Sequence, residues 1–400
     1  MTAQTHEYEV LVLGAGLVGL ASAVALAQQG LRVAVLERQS LVARPDEEWD
    51  SRIYAISPGN VDWLAGLGVW PLLAQERLCD VDSMQIYGDQ GAGLRMDAYQ
   101  ANLARLSVIV EGKRLQFALQ ERLQALEVPV FEQCALSHAQ WRAPCYTLHA
   151  AQDVSYSAAL LVAADGAASW LRQQADIAVQ RHDYAQMGVV ANFACEHDHG
   201  GRAFQWFFND HEYGQSILAW LPLPQQQMSM VWSSSNPHAQ ALLGMDAEAL
   251  AQKVSAAGQH RLGHLKLVTP AQAFPLSMQT PERLVKPGLA LVGDAAHLVH
   301  PLAGQGVNLG LRDVKLLVET LAGKNQKSQA GRGHVGDLSL LRGYERARKA
   351  DMMHMRVLTH GLATLYARPS SWLGLLRNEG LGWLDQRPAL KKTLIQQAVI

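Results

Sequence analysis

The sequence predicts an α/β fold, in which a largely parallel sheet carries an inserted, mostly antiparallel sheet and is followed by a helical C-terminal region. Three observations predict this class. A strand, a glycine-rich turn and a helix open the chain, an apolar strand near residue 290 ends in Gly-Asp, and four strand-like runs lie between residues 188 and 232. The 400 residues, 49% of them hydrophobic, are enough for two cored domains.

The first motif joins a strand to a helix through three glycines. Tyr8–Leu13 is a short apolar run of the kind that is buried in a parallel sheet, and Gly14, Gly16 and Gly19 follow it. Gly14 allows a tight turn, Gly16 lets the backbone approach a pyrophosphate, and Gly19 lets the helix pack on the strand. The helix N-terminus adds free N–H groups and partial positive charge. The motif therefore predicts a Rossmann-like dinucleotide-binding unit.

A second strand, Arg32–Leu36, completes this unit and ends in Glu37. A carboxylate at that position can accept hydrogen bonds from the ribose of an adenosine. Arg38 beside it is either a partner for a 2′-phosphate or a surface residue, and we include it among the candidate cofactor-binding residues. A second GxGxxG match, Gly331–Gly336, has no strand before it and is interpreted as a loop.

A later motif indicates FAD rather than NAD. Pro287–Val292 is a candidate buried strand that ends in Gly293-Asp294, where a carboxylate can accept hydrogen bonds from ribityl hydroxyls. A long helix starts near Gly306, followed by Val307 and Asn308, and its N-terminus points N–H groups at a flat ring. A flavin gains negative charge at its N1 side on reduction, which such a terminus stabilises.

Together these stretches resemble a known family, the class A flavoprotein monooxygenases. Gly293–His297, with His300-Pro301 and Gly304–Gly306, resembles the second flavin fingerprint of these aromatic hydroxylases, and Leu161–Arg172 resembles their Asp-Gly motif. Within the class, the resemblance is to the ubiquinone-biosynthesis hydroxylases. Four stretches carry it: Arg52–Ser57, Leu67–Trp70, Leu289–Asn308 and Tyr344–Asp351.

The resemblance implies roles for individual residues. Arg52 would lie against the FAD pyrophosphate, where a guanidinium fits, and Asp165, Gly166 and Arg172 would hold the centre of the cofactor. The residues implied to shape the reacting site are His300, Pro301, Gly304, Gln305 and Gly306.

One stretch departs from the family. The third strand ends in Glu111-Gly112, where the family often has Glu-Asn, so no cofactor role is carried over to Glu111 or Arg114.

We expect a fold of the aromatic hydroxylase and glutathione-reductase type built from discontinuous segments. The FAD-binding domain is predicted at 1–72, 100–175 and 280–345, the substrate domain at 73–99 and 176–279, and the helical region at 346–400. The substrate sheet is predicted to contain four strands that roof the flavin: Gly188–Ala194, Ala203–Phe208, Ser216–Leu221 and Met228–Trp232. Phe204, Trp206, Phe207 and Phe208 are each equally compatible with a pocket wall or with ordinary strand packing.

The activity implied by the resemblance is hydroxylation of an aromatic ring. The substrate would be a polyprenyl phenol or benzoquinol intermediate of ubiquinone biosynthesis, oxidised by O2 through a C4a-hydroperoxyflavin, with NADPH or NADH as transient reductant. Hydroxylation of another aromatic substrate, or a flavin dehydrogenase or saturase of the same fold, would use the same cofactor motifs. No GxSxG or WxWxIP stretch favours a hydrolase or a halogenase.

Composition limits the partners. A net charge of −2 gives no electrostatic case for nucleic acid, and four scattered cysteines suit a reducing compartment. His297 and His300 have no third ligand at a suitable spacing, so no metal is expected. The apolar stretch Leu11–Ala27 is interrupted by glycines, so we expect a cytoplasmic protein with at most peripheral contact at the inner face of the membrane. A complex with other proteins of ubiquinone biosynthesis is a further option.

Overall fold

The structure, a computed structural model, describes residues 4–89, 93–151, 153–210, 214–299, 305–325 and 334–349. Its strands are β1 Gln4–Leu13, β2 Val33–Leu36, β3 Ile53–Ile56, β4 Cys79–Val81, β5 Ser83–Tyr87, β6 Gly93–Asp97, β7 Ser107–Glu111, β8 Val130–Phe131, β9 Leu136–Arg142, β10 Cys145–Ala150, β11 Val154–Ala163, β12 Val179–Cys195, β13 Arg202–Asp210, β14 Gly214–Leu223, β15 Gln227–Ser235, β16 Leu265–Leu267, β17 Gln272–Pro281, β18 Val285–Lys286 and β19 Leu289–Leu291. Its α-helices are α1 Leu17–Gln28, α2 Pro58–Gly66, α3 Gly112–Ala125, α4 Trp170–Gln174, α5 Asn236–Leu243, α6 Ala247–Ala257, α7 Gln305–Asn325 and α8, residues 338–349.

The first sheet has the order β18-β19-β11-β1-β2-β8, and the hairpin β9-β10 extends it beside β11. Strand β1 pairs in parallel with both β11 and β2, and β11 pairs in parallel with β19. The central strands are buried on both faces, and their apolar runs (Val10–Leu13, Leu160–Ala163) suit that position. Helix α1 packs on β1, β2 and β11, and α3 and α7 pack on α1. The carboxyl ends of β19, β11 and β1 therefore lie side by side.

The second sheet has the order β16-β12-β15-β14-β13-β5-β6, with β17 also paired to β12. Its four central strands are the predicted ones, β12 to β15, and they pair antiparallel as expected. One face packs on α6 through a cluster that contains Trp206, Trp220 and Trp232. The prediction of an inserted, mostly antiparallel sheet is confirmed.

A third, small sheet with the order β3-β7-β4 lies between the other two. Ile53 and Ala55 of β3 pack with Ala203 and Leu221 from the second sheet. The stretch that starts at Arg52 is thus held between the parallel sheet and the antiparallel sheet. The proposed domain boundaries stay a prediction.

The second glycine motif ends in a packing contact. The Gly336 carbonyl accepts a hydrogen bond of 2.8 Å from the Gly288 N–H, and a Cβ atom at residue 336 would lie 2.0 Å from the Ala159 carbonyl oxygen. Only a glycine lets this segment approach the sheet so closely.

Within the part of the chain that the structure describes, no helix has the length and apolar composition needed to cross a membrane. The predicted helical region lies outside the described residues from residue 350 onward.

Candidate active site

The three glycines of the first turn have different surroundings. Gly14 has a φ of +101°, and a Cβ atom there would lie 2.5 Å from the Ala164 carbonyl oxygen. A Cβ atom at Gly19 would lie 1.9 Å from the carbonyl oxygen of Gly14. A Cβ atom at Gly16 would meet nothing within 4 Å. The fold itself requires Gly14 and Gly19, whereas Gly16 borders open space next to the N-terminus of α1.

Two polar side chains hold this turn from outside. Glu37 accepts a hydrogen bond of 2.6 Å from the Ala15 N–H at Oε2 and one of 2.8 Å from the Gln39 N–H at Oε1. Gln116 of α3 donates from Nε2 to the Ala15 carbonyl oxygen at 2.8 Å. Gln116 was not singled out from the sequence. Arg38 is exposed, and its predicted role stays a prediction.

The turn after β11 contains Asp165 and Gly166, the latter at a φ of +83°. Asp165 accepts a hydrogen bond of 3.0 Å from the Leu171 N–H at Oδ2, while its buried Oδ1 has no hydrogen-bond partner among the described residues. A buried carboxylate oxygen without a donor is costly, so a ligand hydroxyl is a fitting partner.

Arg172 is 5% exposed and lies beneath the same turn. Its Nη1 donates to the Ala295 carbonyl oxygen at 2.9 Å and its Nη2 to that of Ala167 at 2.7 Å. Burial lowers the pKa of Arg172, and the charge of Asp165 opposes that shift. Arg172 therefore joins two turns, which extends its predicted role of holding the centre of the cofactor.

The turn after β19 contains Gly293, at a φ of +58°, and Asp294. The Asp294 side chain is exposed, yet burial raises the pKa of its carboxyl group, an effect that His297 and Arg52 oppose. Arg52, at the start of β3, is exposed and close enough to interact with Asp294 electrostatically, so two predicted residues come together.

The side chain of Asn308, near the start of α7, makes its hydrogen bonds within the protein. Asn308 is 1% exposed, and its Oδ1 accepts hydrogen bonds of 2.9 Å from the Ser57 N–H and from Asn60 Nδ2. Its Nδ2 donates to the Ala55 carbonyl oxygen at 2.8 Å. The amide group of Asn308 thus fixes α7 to β3 and α2, which leaves only its backbone for the predicted cofactor contact.

The remaining predicted residues are placed only in part. His300, Pro301 and Gly304 lie outside the described residues, and only the backbone of Gln305 is described, as the first residue of α7. A Cβ atom at Gly306 would meet nothing within 4 Å. The roles assigned to these residues, and to Val307, stay predictions.

Glu111 has a structural role. Its carboxylate is 1% exposed and accepts hydrogen bonds from Arg77 Nε at 2.9 Å, Arg77 Nη2 at 2.8 Å and Arg114 Nε at 2.9 Å. The Arg77 guanidinium also lies 3.6 Å from the centroid of the Trp49 ring. This ion-pair cluster stabilises the junction of β7 and α3.

The aromatic residues of β13 divide between two faces because side chains alternate along a strand. Phe204 and Trp206 lie in the core against α6, and Phe208 packs on that same core. Phe207 lies on the opposite face in a cluster with Ile86, Leu94, Met84, Met96 and Ile217. Of the four residues, Phe207 is the one on the face that also contacts β3.

The three turns fit an extended flavin nucleotide. They follow β1, β11 and β19, which are neighbours, so they meet at one edge of the parallel sheet. Open space at Gly16, the Oδ1 of Asp165 without a partner among the described residues, and the carboxyl group of Asp294 offer a backbone cradle and two hydrogen-bond acceptors at this edge. This set suits a pyrophosphate with a hydroxyl-rich chain.

Comparison with known proteins decides the family. Residues 7–355 match the family described as FAD binding domain. The chain is 34% identical over 413 residues to 3-demethoxyubiquinol 3-hydroxylase of Escherichia coli strain K12, an alignment that covers 98% of each chain. The chain belongs to the FAD-dependent monooxygenase family.

Two further proteins place this monooxygenase among its relatives. It is 31% identical to ubiquinone hydroxylase UbiL of Rhodospirillum rubrum, with 98% of this chain and 89% of the relative covered. The crystal structure of PqsL from Pseudomonas aeruginosa superimposes with a TM-score of 0.76 at 21% identity and covers 94% of this chain and 100% of PqsL. This likeness confirms the predicted fold.

The monooxygenase is an FAD-dependent hydroxylase. Bound FAD supplies the redox and oxygen-activating chemistry, and NAD(P)H is the reductant typical of the family. An aromatic substrate and O2 follow from the same family membership.

Proposed function

We propose that this monooxygenase hydroxylates the ring of a polyprenyl phenol or benzoquinol intermediate of ubiquinone biosynthesis. The observation that carries the proposal is an apolar sheet face that continues into the cofactor site. The two relatives named above, which act on ubiquinone or its precursors by name, support the same substrate class.

The apolar face is formed by β5, β6, β13 and β14. Its hydrophobic side chains are Met84, Ile86, Leu94, Met96, Phe207 and Ile217, and the buried Gln205 lies on the same face of β13. Met84, Met96 and Ile217 are only half-buried. A large apolar surface that protein leaves partly uncovered favours an apolar ligand.

This face reaches the cofactor site through β3. Met84 also packs in the cluster that joins Ala203 and Leu221 to Ile53 and Ala55. Ala55 accepts the hydrogen bond that fixes Asn308 and with it the start of α7. A ring held at this junction would lie between the apolar face and the start of β3, where Arg52 is close enough to Asp294 to interact with it electrostatically.

The chain supplies orientation and exclusion of water at that junction. The oxygen of a phenol already makes its ring reactive. The protein is then mainly required to exclude water and to position the reacting carbon.

A polyprenyl tail also determines where the enzyme works. Such a substrate partitions into lipid, so contact with the inner face of the membrane and assembly with other enzymes of the pathway are parts of the same proposal. The reductant, NADPH or NADH, is to be identified by which of them reduces the bound flavin.

The test combines a deletion strain with the purified enzyme. We expect the strain to lose ubiquinone and to accumulate an intermediate that lacks one ring hydroxyl, and the enzyme to incorporate one atom of ¹⁸O₂ into that intermediate. Unchanged ubiquinone in the strain would contradict the pathway and leave FAD binding untouched. Anaerobic turnover without oxygen incorporation would instead identify a dehydrogenase of the same fold.

A further inference from the structure

Asp313 of α7 is a buried charge next to the cofactor turn. It is 0% exposed, and its Oδ2 accepts a hydrogen bond of 2.7 Å from the Gly293 N–H. His297 Nε2 lies 2.7 Å from the same oxygen and donates to it, because a carboxylate can only accept. One carboxylate oxygen therefore binds both ends of the segment that contains Asp294.

The counter-charge comes from a distant part of the chain. Arg348 of α8 is 2% exposed, and its Nε lies 2.6 Å from Asp313 Oδ1. Arg348 also donates from Nη2 to the Leu309 carbonyl oxygen at 3.4 Å. A buried carboxylate is stable only when it is paired, so the charge that holds Gly293 and His297 depends on Arg348.

Helix α8 is bound by two further contacts, one to β19 and one to the residue just before β18. The Tyr344 hydroxyl donates to the Leu291 carbonyl oxygen at 2.7 Å, and burial raises the pKa of Tyr344 so that it keeps its proton. The Glu345 carboxylate accepts a hydrogen bond of 2.9 Å from the Leu284 N–H. These contacts align α8 with β19, two residues before the turn at Gly293.

We infer that Arg348 is a positioning residue of the flavin site, which acts through Asp313 to hold the Gly293–His297 turn in the shape that binds FAD. Arg348 touches neither cofactor nor substrate. Docking of α8 and affinity for FAD are therefore coupled, and a change at α8 alters the cofactor site without altering any residue that lines it.

The first test is Arg348→Met, which keeps the apolar stem and removes the charge. We expect the Kd for FAD, measured by flavin fluorescence on folded protein, to rise about tenfold or more, and the absorption bands of the residual bound flavin to shift. Arg346→Met is the matched control, because Arg346 is exposed on the same helix, and it should bind FAD like the parent.

The double variant Asp313→Asn, Arg348→Met separates positioning from packing. Asparagine keeps an acceptor for the Gly293 N–H but needs no counter-charge, so we expect the Kd to return to within about threefold of the parent value. If Arg348→Met does not fold, Arg348→Lys replaces it with an expected rise of about threefold, since lysine keeps the charge without the planar fork. A parent-like Kd and spectrum in folded Arg348→Met or Arg348→Lys would overturn the inference, even with a lowered melting temperature.

Discussion

Arg172 Nη1 donates a hydrogen bond of 2.9 Å to the carbonyl oxygen of Ala295, and this bond joins two turns that are 123 residues apart in the sequence. One turn follows β11 and contains Asp165, and the other follows β19 and contains Asp294. A single buried guanidinium thus sets the spacing between two acceptors predicted to bind the same cofactor.

Arg172→Met should loosen both turns. It removes two charge-assisted hydrogen bonds and leaves two carbonyl oxygens without them, so we expect a loss of about 3 kcal/mol in the free energy of unfolding of the apoprotein. FAD content after purification should fall in parallel. Arg181→Met, at an exposed position of β12, is the control. Retention of both stability and FAD would contradict the role assigned to Arg172.

Gly14 and Gly16 should respond differently to substitution. Gly14→Ala places a Cβ atom 2.5 Å from the Ala164 carbonyl oxygen at a φ of +101°, so we expect the apoprotein to lose about 2 kcal/mol or more of stability. The Cβ atom of Gly16→Val meets no protein atom within 4 Å, so we expect the melting temperature of the apoprotein to change little, while the side chain blocks the approach of a pyrophosphate. Differential scanning fluorimetry and FAD titration of both variants check this. Tight FAD binding by Gly16→Val would show that the pyrophosphate lies elsewhere.

Local patterns predicted much of this arrangement, and tertiary contacts decided the rest. The turn at Gly14 follows from a strand, three glycines and a helix within 30 residues, so the sequence was sufficient for it. Arg172 and Asn308 have partners 123 and about 250 residues away, which no local pattern reports. The pattern around Trp206 and Phe207 predicts a strand, but which face meets α6 depends on the packing of that helix.

Asp294 predicts a pH dependence of apoprotein stability. Burial raises the pKa of its carboxyl group above the ordinary value of 3.8, so the folded state favours the protonated form. The stability that this protonation contributes is complete below pH 3.8 and is lost as the pH rises through the folded-state pKa. The melting temperature of the parent relative to Asp294→Asn should therefore fall across this window. A constant difference between the two proteins at all pH values would contradict it.

Tyr54 and Gly112 should be energetically coupled. A Cβ atom at Gly112, the first residue of α3, would lie 3.0 Å from Tyr54 Cε2, so the tyrosine ring occupies space that any other residue at 112 would need. Gly112→Ala should destabilise the parent, because the ring must move. In a Tyr54→Ser background the same change should destabilise the protein less, because the ring is gone while the Arg52 carbonyl oxygen at 3.2 Å and Asp50 Oδ2 at 3.3 Å still crowd the Cβ atom.

A double-mutant cycle in urea measures this coupling, which we expect to be about 1 kcal/mol. Tyr54 also lies close to Arg52 and Asp294, which shift its pKa in opposite directions. Additive changes in the free energy of unfolding would show that the Tyr54 ring and a Cβ atom at residue 112 do not compete for the same space.

Phe207 and Phe208 offer a test of the proposed substrate face. Adjacent residues of a strand point to opposite sides, and Phe207 lies in the apolar cluster with Met84 and Ile217, whereas Phe208 lies 6.3 Å from Trp232, centroid to centroid, on the other side. If the prenylated substrate rests on the first face, Phe207→Leu weakens the packing beneath the half-buried Met84 and Ile217 that the substrate would contact. We expect its KM to rise about fivefold, which corresponds to about 1 kcal/mol of lost apolar contact, with little change in the Kd for FAD.

Phe208→Leu is the matched control because it makes the same chemical change one residue away. It should lower the melting temperature by a few degrees through the core around Trp232 and leave the KM unchanged. For a substrate analogue without the tail, the KM values of the two variants should differ less, since the analogue covers less of the apolar face. An equal rise in KM for both variants would place the substrate away from this face, because packing losses on either side would then explain the effect equally well.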